Sequence, residues 1–166
     1  MPEEKKIFEQ QLKQKGFFNY DALYNFMFIW LKDENYDVSE DKYEEKLTSA
    51  GKEIKIKWVA KKEISDYFRN KIEVTWHIVT MTDAEVEIGG KKVKTNKGEA
   101  KIKFKGILER DYEKRWEDKP MWKFLRGVYD KYIIRTTMEQ YEIKLFKKAT
   151  EFFEEVKSFL NFSTHR

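Results

Sequence analysis

Three segments in the middle of the chain alternate apolar and polar side chains, and this period of two is the strongest constraint on the fold. The apolar positions are Ile54, Ile56, Trp58 and Ala60 in the first segment, Ile72, Val74, Trp76 and Ile78 in the second, and Ala100, Ile102, Phe104 and Leu108 in the third. Such alternation is typical of antiparallel strands with one face on the core and the other in water. We therefore expect an antiparallel β-meander of about three to five strands over residues 53–109, curved because long strands with bulges tend to curl.

A two-residue turn sets the register of one hairpin in this meander. Gly89-Gly90 lies between the segments EVEI and KKV and is typical of a tight β-hairpin. The resulting register pairs Glu87 with Lys92, Val86 with Val93 and Glu85 with Lys94. Farther from the turn, the apolar positions of the two strands fall out of phase unless one residue is added. We predict a β-bulge within residues 95–98, which would place Phe104 opposite Trp76.

The segments on either side of the meander have patterns typical of helices. The predicted helices are residues 3–15, about 19–32, 39–49, 118–134 and 136–161. The last of them carries an apolar stripe broad enough to cover a sheet face. A chain of 166 residues is normally one domain. We expect a single α+β domain over 1–166, in which N-terminal helices (1–50) and a long C-terminal helix pack on the sheet (53–109) and two helices occupy 118–161.

This layout is similar in outline to helix-grip domains, in which an antiparallel meander is held against a long C-terminal helix. Helix-grip domains bind lipids and other apolar molecules. The predicted layout differs from theirs because it begins with helices and has fewer strands. NTF2-like folds also begin with helices, but they usually end in strands. Both likenesses are of architecture alone and name no function.

Composition excludes several kinds of chemistry. The chain has no Cys, so disulfides, thiol nucleophiles and cysteinate metal sites are ruled out, and it has two His, at 77 and 165. No catalytic or cofactor motif is present, and we predict a binding protein rather than an enzyme, with no cofactor and no metal site. The N-terminal segment MPEEKKIFEQ lacks the apolar stretch of a signal peptide, and the apolar run FMFIWL at 26–31 is too short to span a bilayer. We expect a soluble, cytoplasmic protein without a transmembrane segment.

The inner face of the meander supplies the first candidate site. Trp58, Trp76 and Phe104 share that face, and Phe152 lies on the apolar stripe of the last helix. Large rings at such positions are usually core, because protein interiors fill to crystal-like density. The functional hypothesis is that these four side chains line a cavity for an apolar small molecule or for an apolar segment of a partner protein.

The outer face of the meander supplies the second candidate site, for nucleic acid. The chain has 28 Lys and 6 Arg, and Lys101, Lys103 and Lys105 alternate with the inward residues of the third segment. Lys55 and Lys57 would join them if the first strand belongs to the same sheet. A basic sheet face can follow the phosphate backbone of RNA. The alternative is a solvated face that prevents strand pairing with other molecules, since no aromatic side chain lies between these lysines to stack on bases.

The connection between the first two alternating segments supplies a third hypothesis. Tyr67, Phe68 and Arg69 would lie at the tip of a hairpin. Aromatic side chains and Arg are favoured anchors of protein interfaces. The tip could therefore be a protein-protein interaction site, or Phe68 could fold back onto the end of the core.

Overall fold

A computed structural model describes residues 3–110, 124 and 135–164. Its elements are β1 (Glu3–Phe18), α1 (Tyr20–Asp33), β2 (Asp37–Thr48), β3 (Gly51–Glu63), β4 (Phe68–Ile88), β5 (Lys91–Arg110) and α2 (Arg135–Thr164). The five strands form one antiparallel sheet in the order β1-β5-β4-β3-β2. The predicted α+β class with an antiparallel sheet is thus confirmed. Apart from residue 124, the helix predicted at 118–134 lies outside the described residues.

Two of the predicted N-terminal helices are wrong, because residues 3–15 and 39–49 lie in strands β1 and β2. β1 pairs with β5 along its whole length, and this register places Leu12 opposite Ile102. The side chains of Phe8 and Leu12 are buried in the core. Residues four apart share a face in a strand as well as in a helix, so their spacing does not distinguish the two. The backbone of β1 pairs with β5 and that of β2 pairs with β3, and these hydrogen bonds stabilise strands rather than helices.

The helices predicted at about 19–32 and at 136–161 agree with the structure. α1 begins after Asn19, whose side-chain oxygen accepts a hydrogen bond from the Ala22 backbone N–H at 3.0 Å and caps the helix. The apolar run FMFIWL lies in α1, where Met27 and Leu31 are fully buried and Ile29 is exposed. α2 covers the predicted range 136–161. Its buried side chains recur at helical spacing: Leu145, Ala149, Phe152, Val156 and Leu160.

The register of the β4–β5 hairpin is as predicted near the turn, but the bulge is on the other strand. Glu87 pairs with Lys92, Val86 with Val93 and Glu85 with Lys94. The extra residue lies at Thr80-Met81 of β4 and not within 95–98 of β5. The register beyond the bulge therefore differs from the prediction by two residues, so Phe104 faces Val74 instead of Trp76, and Trp76 faces Ile102.

Candidate functional site

The four side chains of the predicted apolar cavity are all core residues. Trp58, Trp76, Phe104 and Phe152 are each at most 1% exposed. The Trp58 and Trp76 rings meet edge-on with centroids 5.3 Å apart, and the Phe104 and Phe152 rings do so at 5.4 Å. Trp30 of α1 stacks on Phe152 at 4.3 Å. Protein rings therefore contact one another in the place where an apolar ligand was expected.

The predicted interaction tip also packs inward. Phe68 is 2% exposed, and its ring meets the Tyr141 ring of α2 edge-on at 5.2 Å. Tyr67 is buried against Phe68. The Arg69 guanidinium donates a hydrogen bond through Nε to Glu109 Oε2 at 2.9 Å. These contacts match the alternative in which the connection folds back onto the end of the core.

Glu109 belongs to a compact ion cluster at the same end of the sheet. Its side chain is 3% exposed and accepts hydrogen bonds from Arg69 and from Lys71, whose Nζ lies 3.1 Å from Oε1. Lys71 Nζ also lies 2.7 Å from Glu4 Oε1. Burial raises the pKa of Glu109, but the hydrogen bonds from Arg69 and Lys71 outweigh it and hold this pKa below its ordinary value of 4.5. The charges satisfy one another, so the loss of any one partner would leave a partly buried charge uncompensated and destabilise the fold.

The five lysines of the predicted nucleic-acid face lie on the outer side of the sheet, and the register makes them neighbours. One row across four strands consists of Lys55, His77, Lys101 and Lys13. The next row consists of Lys57, Thr75, Lys103 and Gln11. We call these eight positions the basic rows. Each row spans about 14 Å across the strands, and the two rows lie about 7 Å apart.

Carboxylates lie around the basic rows but occupy none of their eight positions. Lys105 belongs to a third row, between Glu73 and Glu9. Glu9 also approaches Lys103, with Oε1 2.9 Å from Nζ. Hydrogen bonds from Lys6 and then Lys103 lower the pKa of Glu9 to about 2. Exposed ion pairs of this kind contribute little to stability, so a phosphate could displace the carboxylate.

Four of the eight positions were absent from the sequence-based site: Lys13, His77, Thr75 and Gln11. Lys13 was missed because residues 3–15 were predicted as a helix. The alternation of Gln11, Lys13 and Lys15 with Leu12 was the available signal for a strand. His77 lies between Lys55 and Lys101, and its Nε2 is 3.8 Å from Glu53 Oε1. Within the described residues, no group of three or more His, Cys, Asp or Glu side chains is arranged to hold a metal ion.

Comparison with known proteins found no matching family model, no matching curated protein and no matching solved structure. In the part of the chain that the structure describes, neither helix has the length and apolar character needed to cross a membrane.

Proposed function

We propose that this chain is a non-catalytic binding protein that holds the phosphate backbone of RNA on the basic rows. The observation that carries the proposal is the block of register positions that contains five lysines and a histidine but no carboxylate. Like charges placed directly opposite one another destabilise a sheet. A polyanion laid across both rows would remove this repulsion and release its own counterions.

Neighbouring parts of the same sheet show what a merely solvated face looks like in this chain. In the third row, Glu73 and Glu9 flank Lys105, and in the hairpin each of two glutamates faces a lysine. On these surfaces glutamates lie beside lysines, so negative and positive charges alternate and largely cancel. The first basic row lacks this alternation from β1 to β3, where Lys13, Lys101, His77 and Lys55 follow one another, and it ends at Glu44 of β2.

The chemistry of the basic rows favours contact with phosphates over reading of bases. Lysine is a flexible point charge and lacks the planar fork with which Arg recognises guanine or phosphate in a fixed geometry. His77 is the only ring among the eight positions, so base stacking would be limited. We therefore expect affinity with little sequence preference and a strong dependence on salt.

The outline of the fold bears on the competing hypothesis of an apolar ligand. The described chain begins with a strand, which removes one of the two differences from helix-grip domains. The rings of Trp58, Trp76, Phe104 and Phe152 nevertheless occupy the interior between sheet and α2. The outer face is therefore the better supported site.

Fluorescence anisotropy with a labelled 20-nucleotide oligouridine tests the proposal. Four phosphate contacts predict a slope of log affinity against log salt of about −2.8, or about a 50-fold loss between 50 and 200 mM salt. The double variant Lys101→Glu/Lys103→Glu should bind at least about tenfold more weakly at 50 mM salt, with a shallower slope.

The matched control is Lys91→Glu/Lys157→Glu, which changes the net charge equally at two exposed positions away from the basic rows. It should retain most of the affinity. Absence of binding by the unmodified protein at 50 mM salt would overturn the proposal, and so would an equal loss in the control variant.

A further inference from the structure

A cleft of about 440 Å3 lies where α2 crosses the ends of β3 and β4, on the inner side of the sheet. Its apolar and aromatic lining includes Tyr36, Ile64 and Tyr141. Lys62 of β3 and Lys144, Lys147 and Lys148 of α2 also line it. We call it the lysine cleft. Its volume is that of a small-molecule site, and it lies on the opposite side of the sheet from the basic rows.

The positive charge of the lysine cleft is only partly neutralised. Lys148 Nζ lies 3.3 Å from Glu34 Oε1 and 3.5 Å from Glu151 Oε2, and the hydrogen bond with Glu34 raises the pKa of Lys148. Among the described residues, Lys62, Lys144 and Lys147 form no ion pair. The carboxylates that line the cleft are Glu34, which pairs with Lys148, and Glu63. The cleft therefore carries an excess of ammonium groups over carboxylates beside an apolar surface.

Asn70 supplies an observation that is independent of charge. Lys62 and Asn70 are cross-strand partners, and both side chains line the cleft. The Asn70 side-chain amide N–H donates a hydrogen bond to the Tyr36 hydroxyl oxygen, and burial raises the pKa of that hydroxyl to about 12. Asn70 Oδ1 is buried and has no hydrogen-bond partner in the described structure. A buried acceptor without a donor costs free energy, which a bound N–H or O–H group would recover.

We infer that the lysine cleft binds an organic anion that combines three features. Its carboxylate or phosphate group contacts Lys144 and Lys147 at the rim. Its planar apolar part lies against Ile64 and Tyr141, since the Tyr36 ring is buried beneath Lys62 Nζ. Its N–H or O–H group donates to Asn70 Oδ1. The inference does not depend on the proposed RNA site, because the two sites share no residue.

Isothermal titration calorimetry with small probes tests the inference. Indole-3-acetate and 1-naphthyl phosphate supply the two anionic groups, and indole-3-acetate also supplies an N–H donor. Tryptamine replaces the carboxylate of indole-3-acetate by a cation, and indole-3-ethanol removes its charge. We expect at least one anionic probe to bind with a Kd below about 1 mM, and the neutral and cationic analogues to bind at least tenfold more weakly.

Two variants locate the binding. Lys144→Gln/Lys147→Gln, at exposed positions, should raise the Kd of the anionic probe at least tenfold. The control Lys91→Gln/Lys157→Gln should leave this Kd unchanged. Asn70→Leu should weaken the binding of indole-3-acetate more than the binding of 1-naphthyl phosphate, because the naphthyl probe has no N–H group. Equal affinities for anionic and cationic probes would overturn the inference, as would no binding of either anion or no effect of the lysine variant. Lys101→Glu/Lys103→Glu should bind the probes normally, so failure of the RNA proposal leaves this result unaffected.

Discussion

Truncation of Phe152 to alanine tests whether the space between the sheet and α2 is filled by protein. Phe152 is 1% exposed, stacks on Trp30 at 4.3 Å and meets Phe104 edge-on at 5.4 Å. Removal of the phenyl ring leaves a void of about 100 Å3, which at about 24 cal/mol per Å3 costs about 2.4 kcal/mol. Loss of the transfer free energy of the ring adds about 2 kcal/mol. Phe152→Ala should therefore lower the free energy of unfolding by about 4 kcal/mol.

Urea denaturation followed by far-UV circular dichroism measures this loss, and α2 itself provides the control. Phe146 is 50% exposed on the same helix, with its ring 5.9 Å from that of Phe8. Phe146→Ala removes the same atoms from a site open to water and should cost about 1 kcal/mol. If Phe152→Ala cost no more than Phe146→Ala, the interior would not be filled, and the apolar-ligand hypothesis would regain its cavity.

Two further predictions concern the sheet. A Cβ on Gly98 would lie 2.9 Å from Met81 Cα, and the backbone cannot move aside as a side chain can. Gly98→Ala should therefore lower the free energy of unfolding, measured by urea denaturation, by about 2–3 kcal/mol. Gly106→Ala, which meets only side chains at 3.2 Å or more, should cost under about 1 kcal/mol, and equal losses would refute the argument. Glu109→Gln should cost about 2–4 kcal/mol at pH 7, because it leaves the partly buried cations of Arg69 and Lys71 without their shared carboxylate. Since the folded-state pKa of Glu109 lies below 4.5, this carboxylate stabilises the fold above about pH 4.5 and ceases to do so as the pH falls through that lower pKa, so the deficit of the variant should shrink in acid. A deficit that is independent of pH would contradict this reasoning.

The strands that could be predicted from sequence are those whose apolar residues repeat with a period of two. In β3, β4 and β5, residues such as Ile54, Ile56 and Trp58 lie two apart, and a helix would scatter them around its axis. In β1, Phe8 and Leu12 lie four apart among Glu, Lys and Gln, which favour helices in isolation. Local propensity therefore favoured a helix, and long-range pairing with β5 overrode it.

The bulge shows a second limit of sequence-based prediction. The phase of the apolar residues establishes that one strand of the β4–β5 pair must carry an extra residue, but it does not say which strand. Glycines on the two strands that neighbour β4 indicate which strand carries the extra residue. Gly51 of β3 and Gly98 of β5 approach the Thr80-Met81 backbone so closely that an added Cβ would come within 3.0 Å of it. A glycine that faces a bulge across a sheet is thus a signal for the location of the extra residue.

The two candidate binding sites depend on neighbours that a linear pattern does not reveal. Alternation assigned Lys101, Lys103 and Lys105 to one face, but in register only the first two belong to the basic rows, while Lys105 faces Glu73 and Glu9. The same residue type in the same strand therefore has different neighbours: Lys103 pairs with Glu9, whereas Lys101 lies between Lys13 and His77. The lysine cleft depends even more on tertiary structure, because its lining residues Lys62 and Lys144 are 82 positions apart in the sequence. Whether a charge on a strand is neutralised or left uncompensated depends on the strands and helices beside it, and a linear pattern of residues does not contain that information.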